Sequence, residues 1–290
     1  MTRLLKDFNY YLRIERSMSQ NTVTAYCSDV ECFLVHYGGA PESISCDDVV
    51  DYLSSCGNLS KRSQARVLSS LRSFCRWLVL EGVLADNPCD KVDTPKIGRY
   101  LPDVLSEDEV SDIIESVGNG TWMQVRDRAI LEVLYGCGLR VSELLGLRIS
   151  GIYSEERFIR VIGKGDKERL VPICDMAYDA VEAYLQVRPL PDDSRNDDIL
   201  FLNRFCRPLS RVAVFKMVQN QALAAGVRKR ISPHTFRHSF ATHLVEHGAD
   251  LRVVQEMLGH EDISTTEVYM HIESASWQSD ILSNHPRSRR

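Results

Sequence analysis

The 290-residue chain has no apolar run approaching the length of about eighteen residues that crosses a bilayer. Its start, MTRLLKDFNYYLRIERS, lacks the continuous apolar stretch of a secretory signal and is charged and aromatic instead. The expectation is therefore a cytoplasmic protein with no membrane contact. No C-x-x-C pair occurs among the nine cysteines, which are odd in number and scattered from Cys27 to Cys206. That excludes a simple disulfide framework and predicts reduced, mostly buried thiols. No internal repeat is present. An excess of positive charge is also missing, since the formal net charge is −5, a weak argument against nucleic-acid binding. Locally the balance reverses: from Ser60 to Leu80 the sequence has Lys61, Arg62, Arg66, Arg72 and Arg76 and no acidic residue. One face of the protein is expected to be basic while the rest is acidic.

What is present fits a mainly α protein of two domains. The length exceeds that of a usual single domain, and 44% hydrophobic residues suffice for one or two cores. Residues 1–85 read as helices in series. Ser19 is a plausible N-cap for a helix carrying Val23, Tyr26, Val30 and Phe33 at helical spacing. In SKRSQARVLSSLRSFCRWLVLEG, Ala65, Leu68, Leu71, Cys75 and Leu78 form an inward stripe, and Arg62, Arg66, Ser69, Ser73 and Arg76 form a basic, hydroxyl-bearing one. The second stripe suits either solvent or phosphate. Residues 86–102, rich in proline and without period, read as an interdomain linker. Residues 103–290 read as a mixed, mostly helical α/β domain. A capping box at Ser106 and Glu109 opens it, and a nearly all-apolar helix over TWMQVRDRAILEVLYGCG follows. RFIRVI and ERLVPI flank GKGDK as two strands of a small antiparallel sheet. The closing HPRSRR reads as a mobile basic end.

Four of the eight histidines fall in HTFRHSFATHLVEH, residues 234–247, whose last five letters have the H-x-x-E-H form of a zinc-hydrolase motif. Ser232 and Pro233 mark a helix start and Gly248 a stop. At about 100° per residue, His234, Arg237 and His238 share one side, and His243 and His247 lie roughly 180° to 220° from His234, among Phe236 and Phe240. One ion cannot be shared by opposite faces, and a catalytic zinc needs at least three protein ligands. His243 and His247 are therefore read as packed residues, and no metal or cofactor is expected. His234 and Arg237, near the positive end of the helix dipole, form an arrangement suited to phosphate, with a surface ion pair as the competing reading. His238 lies beside them without an assigned role.

Downstream, Asp250 caps a helix with Leu251, Val254 and Leu258 inward, Gly259 ends it, and His260 follows the stop. Ser264 and Glu267 make a capping box for a short helix carrying Tyr269. Upstream, Arg140 follows Gly138 amid apolar sequence, with Glu143 three positions on. A local Arg–Glu pair is the simple reading, yet a guanidinium in such surroundings needs more partners than one carboxylate supplies.

Together GLRVSELLGL, GKGDKER, HTFRHSFATHL, LGHEDISTTEVYMH and NHPR resemble the tyrosine site-specific recombinases of the phage integrase family, and within them the Xer type. The resemblance covers nearly the whole chain: ERSMSQNTVTAYCSDV is similar to the family's core-binding segment, and RVLSSLRSFCRWL to its DNA-contacting helix. It implies a helical core-binding domain and a catalytic domain that clamp DNA between them. It also implies Arg140 and Arg237 as the catalytic arginines, Lys164 as the hairpin lysine and general acid, and His234 for proton handling. His260 is implied as a phosphate donor and Tyr269 as the nucleophile. Met270 and Val268 stand where the family often has threonine and isoleucine, away from those positions. Further implications are a tetramer, with itself or with a second Xer-type recombinase, on double-stranded DNA at a dif-like site. Resolution of chromosome or plasmid dimers at division, under a DNA translocase of the FtsK type, would follow. The competing expectations are an integrase of a mobile element and, in another class, a catalytically silent DNA-binding factor.

Overall fold

The computed structural model describes residues 2–95, 103–259 and 281–288. The chain divides into two compact units, Met1–Tyr100 and Leu101–Arg290, each with its own core.

The described part of the first unit is helical: α1 (Arg3–Tyr10) runs on through a π turn at Tyr11–Glu15 and is followed by α2 (Gln20–Tyr37), α3 (Cys46–Ser55) and α4 (Lys61–Leu80). Local chemistry sets the starts. Thr2, Ser19, Ser45 and Ser60 each accept a backbone N–H of the first turn, and Gly38, at φ +66°, ends α2. The buried face of α4 is broader than the expected stripe: Val67, Phe74 and Trp77 join Leu68, Leu71, Cys75 and Leu78, while Ala65 is only half-buried. Phe8 fixes the packing, meeting Phe74 edge-on at 5.2 Å and Trp77 at 5.6 Å. Each such ring contributes roughly 1.5–3 kcal/mol by leaving water. The stretch expected as a linker begins as part of this unit. Pro88–Lys91 form a 3-10 turn, Cys89 is fully buried, and Arg72 donates to the carbonyls of Cys89 and Val92. Residues 96–102 lie outside the described residues.

The second unit is built around α6 (Trp122–Gly136), which is buried continuously from Ala129 to Gly136 between α8 (Asp175–Val187) and α10 (Pro233–Glu246). Burial on both sides explains why its sequence reads as almost wholly apolar. Around it lie α5 (Glu107–Glu115), α7 (Val141–Leu145), α9 (Arg211–Ala224) and α11 (Leu251–Leu258). The small sheet has three antiparallel strands in the order β1 (Ile152–Tyr153), β2 (Phe158–Ile162) and β3 (Glu168–Pro172). Val161 pairs with Arg169, and the turn between β2 and β3 closes with the Gly163 N–H donating to the Lys167 carbonyl at 2.8 Å. The capping box expected at Ser106 is formed, and Ser232 is the N-cap of α10 as expected, with Thr235 completing a box there.

The expectation of a mobile basic end is corrected for residues 285–288. His285 is fully buried, its ring centroid 5.5 Å from those of Tyr135 and Phe240. Arg287 forms a fork with the Glu132 carboxylate and donates to Ser111 Oγ at 3.3 Å. Glu132 is 1% exposed within apolar α6, and a carboxylate so placed requires a cation. The basic end supplies it.

Candidate active site

The centre of the site is a buried carboxylate, Glu143 on α7, 2% exposed. Arg140, at the N-cap of that helix, donates to Glu143 Oε1 at 2.9 Å, and its backbone N–H donates to Oε2 at 2.8 Å. From β3, Arg169 meets the same carboxylate with both terminal nitrogens, at 2.9 and 3.0 Å. From α10, Arg237 Nη1 comes within 3.7 Å of Oε2. Burial alone would raise the Glu143 pKa, but the hydrogen bonds and charge of Arg169, with those of Arg140, outweigh it and hold the group below the usual carboxylate range.

The same three arginines hold the end of α11. Arg169 Nε donates to the Met257 carbonyl at 3.0 Å, Arg237 Nη2 to that of Leu258 at 2.5 Å, and Arg140 Nη2 to that of Gly259 at 3.1 Å. The last carbonyls of a helix have no partner within it and carry the negative end of its dipole, so cations satisfy both needs. Gly259 closes the helix in the left-handed region, at φ +65°. Arg237 Nη1 also donates to the Gly138 carbonyl at 2.7 Å. Gly138 permits this approach: its φ is +58°, and a Cβ there would lie 2.4 Å from the Phe240 ring. Arg140 thus has the further partner that its sequence surroundings required.

Three guanidinium groups around one carboxylate leave an excess of positive charge at a partly buried place. Its effect is visible on Arg237, whose pKa is pushed down to about 10 by burial and then by Arg140. His234, exposed in the first turn of α10, is held below the ordinary imidazole value by partial desolvation, then by Arg237, Arg211 and Arg140. It is therefore neutral near pH 7. A cluster with more guanidinium than carboxylate among the described residues, with a neutral imidazole beside it, is suited to an anion that undergoes proton transfer.

The opposite face of α10 has the packed character expected of it. His243 is 4% exposed, with Nδ1 2.8 Å from the Tyr135 hydroxyl. His247 Nε2 lies 3.2 Å from Glu107. Among the described residues no group of three metal-ligating side chains exists. His238 is exposed. Of the other expected site residues, Lys164 lies in the β2–β3 turn with its side chain outside the described residues, as are His260 and Tyr269. The capping box expected at Ser264 and Glu267 is outside them too.

On the first unit the five basic candidates separate. Arg62 and Arg76 are exposed on α4, and Lys61 donates to Gln64 at 3.3 Å. Arg66 pairs with Asp29, which also accepts from Ser70 Oγ at 2.7 Å. Arg72 is occupied by the backbone at Cys89 and Val92. Arg169 is the residue that sequence reasoning missed. Its signal was parity, since position 169 shares one face of β3 with the buried Val171, and the Arg169 side chain is itself only 12% exposed.

The model of the phage integrase family matches residues 103–275, and that of the phage integrase N-terminal SAM-like domain matches residues 5–82. A curated relative from Oceanobacillus iheyensis, named tyrosine recombinase XerD, is 41% identical over 98% of this chain and 98% of its own. A crystal structure of XerA recombinase is 31% identical over 98% of both chains, with a TM-score of 0.52. A crystal structure of the XerH site-specific recombinase bound to palindromic difH substrate shares the fold, with a TM-score of 0.72 at 22% identity over 95% of this chain and 83% of that one.

Proposed function

Because this chain belongs to the phage integrase family, the tyrosine recombinases, we propose that its arginine cluster holds the scissile phosphate of a DNA strand. The observation that carries this reading is the excess of guanidinium over carboxylate at Glu143, in a family whose activity is site-specific recombination. Arg140 and Arg237 offer forked N–H donors to the non-bridging oxygens, where charge gathers in the transition state. The Tyr269 hydroxyl attacks phosphorus and its proton passes to neutral His234. The bond to the 5′-oxygen breaks, Lys164 protonates that oxygen, and His260 donates to the phosphate. The 3′-phosphotyrosyl bond keeps the energy of the broken one. Attack by the 5′-hydroxyl of another strand reverses the step, so the reaction requires no nucleotide or other cofactor.

In this reading residues 1–85 form the core-binding domain, with the exposed Arg62 and Arg76 against the backbone of double-stranded DNA, and residues 103–290 the catalytic domain. The protein acts in the cytoplasm, as part of a tetramer with itself or a second Xer-type recombinase, on a dif-like site. It resolves chromosome or plasmid dimers at cell division with a translocase of the FtsK type. The XerD name of the relatives and the difH substrate of the XerH complex support the cellular role over that of a mobile-element integrase.

The test is a duplex carrying a dif-like site from the host's terminus region, nicked beside the cleavage point so that the covalent adduct is trapped. Wild type is expected to form the adduct and Tyr269→Phe none. Equal adduct from Tyr269→Phe would overturn the nucleophile assignment. Tight binding without any wild-type adduct would point to the catalytically silent DNA-binding factor instead.

A further inference from the structure

The bidentate contact of Arg169 with Glu143 exceeds what pairing a buried carboxylate requires, since Arg140 already serves that carboxylate from the same helix. Its position suggests a second purpose. A Cβ built on Gly163 would lie 3.5 Å from Arg169 Nη1 and 3.8 Å from Glu143 Oε1, and one on Gly259 would lie 3.5 Å from Arg169 Cζ. The guanidinium therefore borders the space that a side chain would fill at both glycines. Gly163 immediately precedes Lys164 in the chain, and Gly259 immediately precedes His260. Through Nε the same side chain holds the Met257 carbonyl at 3.0 Å, and through Glu143 it meets Arg140 and the neighbourhood of Arg237.

We infer that Arg169 is a positioning residue for DNA cleavage, setting the register of the β2–β3 hairpin and the end of α11 against the Arg140–Arg237 pair. The inference rests on the reading of that pair as the phosphate site. Each group that Arg169 touches or borders leads to a candidate catalytic residue: Glu143, which it holds, to the two arginines, the Met257 carbonyl, which it also holds, and the neighbouring Gly259 to His260, and the space beside Gly163 to Lys164. Three of its five N–H groups are directed to the carboxylate and to a carbonyl, so its reach is through those groups. A planar fork fixes two partners in one plane, which a lysine ammonium does not do. Loss of the fork leaves Glu143 free to rotate and draws Arg140 or Arg237 away from the phosphate. A displacement of the order of 1 Å at a catalytic group lowers the rate by about a hundredfold.

The experiment compares wild type with Arg169→Gln on two forms of the nicked duplex. One carries the ordinary scissile phosphodiester, the other a methylphosphonate, whose missing negative charge relaxes the demand for well-placed guanidinium groups. The expected result is adduct formation slowed by about a hundredfold on the phosphodiester, with DNA affinity unchanged, and a deficit at least about tenfold smaller on the methylphosphonate. A variant that merely loses folded protein is impaired equally on both substrates, and that outcome overturns the inference, as does an unimpaired Arg169→Gln. Arg169→Lys, which keeps the charge beside Glu143 and loses the fork, carries the same comparison if the glutamine variant does not fold. If wild type itself forms no adduct on either duplex, it is the phosphate-site reading that fails.

Discussion

Two buried carboxylates in the second unit face arginines, and they differ in stoichiometry. Among the described residues, Glu132 on α6 has a single guanidinium, Arg287, in a fork whose members are 1% and 11% exposed at the side chain. Glu143 on α7 has three around it, and one of them, Arg140, remains 37% exposed. The first arrangement is neutral and closed, so it can only hold structure together. The second has surplus charge and an open side. The three arginines also serve the end of α11, yet among the described residues their charge exceeds what one carboxylate balances, which suits the place to an anion.

Replacing single members of the two clusters separates them. The largest effect is expected at the balanced pair: Glu132→Gln leaves the Arg287 guanidinium buried without its counter-ion and should lower unfolding free energy by about 3–5 kcal/mol, read from urea melts. Adduct formation per folded molecule should be unchanged. Arg140→Gln should do the reverse, slowing adduct formation by about 10²–10³-fold, or roughly 2.7–4 kcal/mol, while the urea midpoint stays near that of wild type. If Arg140→Gln melted as Glu132→Gln is expected to, the open cluster would be structural and the contrast would collapse.

The smallest effect concerns His285, which joins the closed cluster to the core. Burial pushes its pKa down to about 3. The unfolded chain therefore binds a proton that the native state refuses, so its contribution is full above about pH 6.5 and is lost as pH falls from there toward 3. By pH 5 the loss relative to the high-pH limit is about 2 kcal/mol from this group. Glu143, with its lowered pKa, contributes above the ordinary carboxylate pKa and loses that contribution only at lower pH. His285→Phe should accordingly flatten the stability profile between pH 6.5 and 5 and leave its acid limb in place. An unchanged slope would show that His285 is not the group titrating there.

Much of this was legible in the sequence because local chemistry decided it. Ser19, Ser106, Ser232 and Asp250 cap helices where their side chains can reach orphan N–H groups, and Gly259 stops one where a left-handed residue is needed. Helical periodicity alone divided the histidines of α10 into an open edge and a packed one. What escaped were pairings over long sequence separations. A run of basic residues on α4 gives no sign that Asp29 takes Arg66 or that residues 89–92 take Arg72, because both partners come from other elements. Glu132 offered a signal that went unused: an acidic residue in an apolar helix implies a cation from elsewhere, as the isolated Arg140 implied further acceptors. The two-residue strand β1 is too short for a period to be detected.

The three carbonyls at the end of α11 have one more consequence, seen by counting hydrogens in place of charges. A guanidinium carries more N–H groups than Arg140 or Arg237 uses on the described residues, and on each of them the protein engages one hydrogen of either terminal nitrogen. Those engaged hydrogens fix the plane and rotation of the fork, and the remaining ones are then aimed without freedom to turn. An oxyanion entering such a site meets donors whose entropy of alignment was already lost when the chain folded.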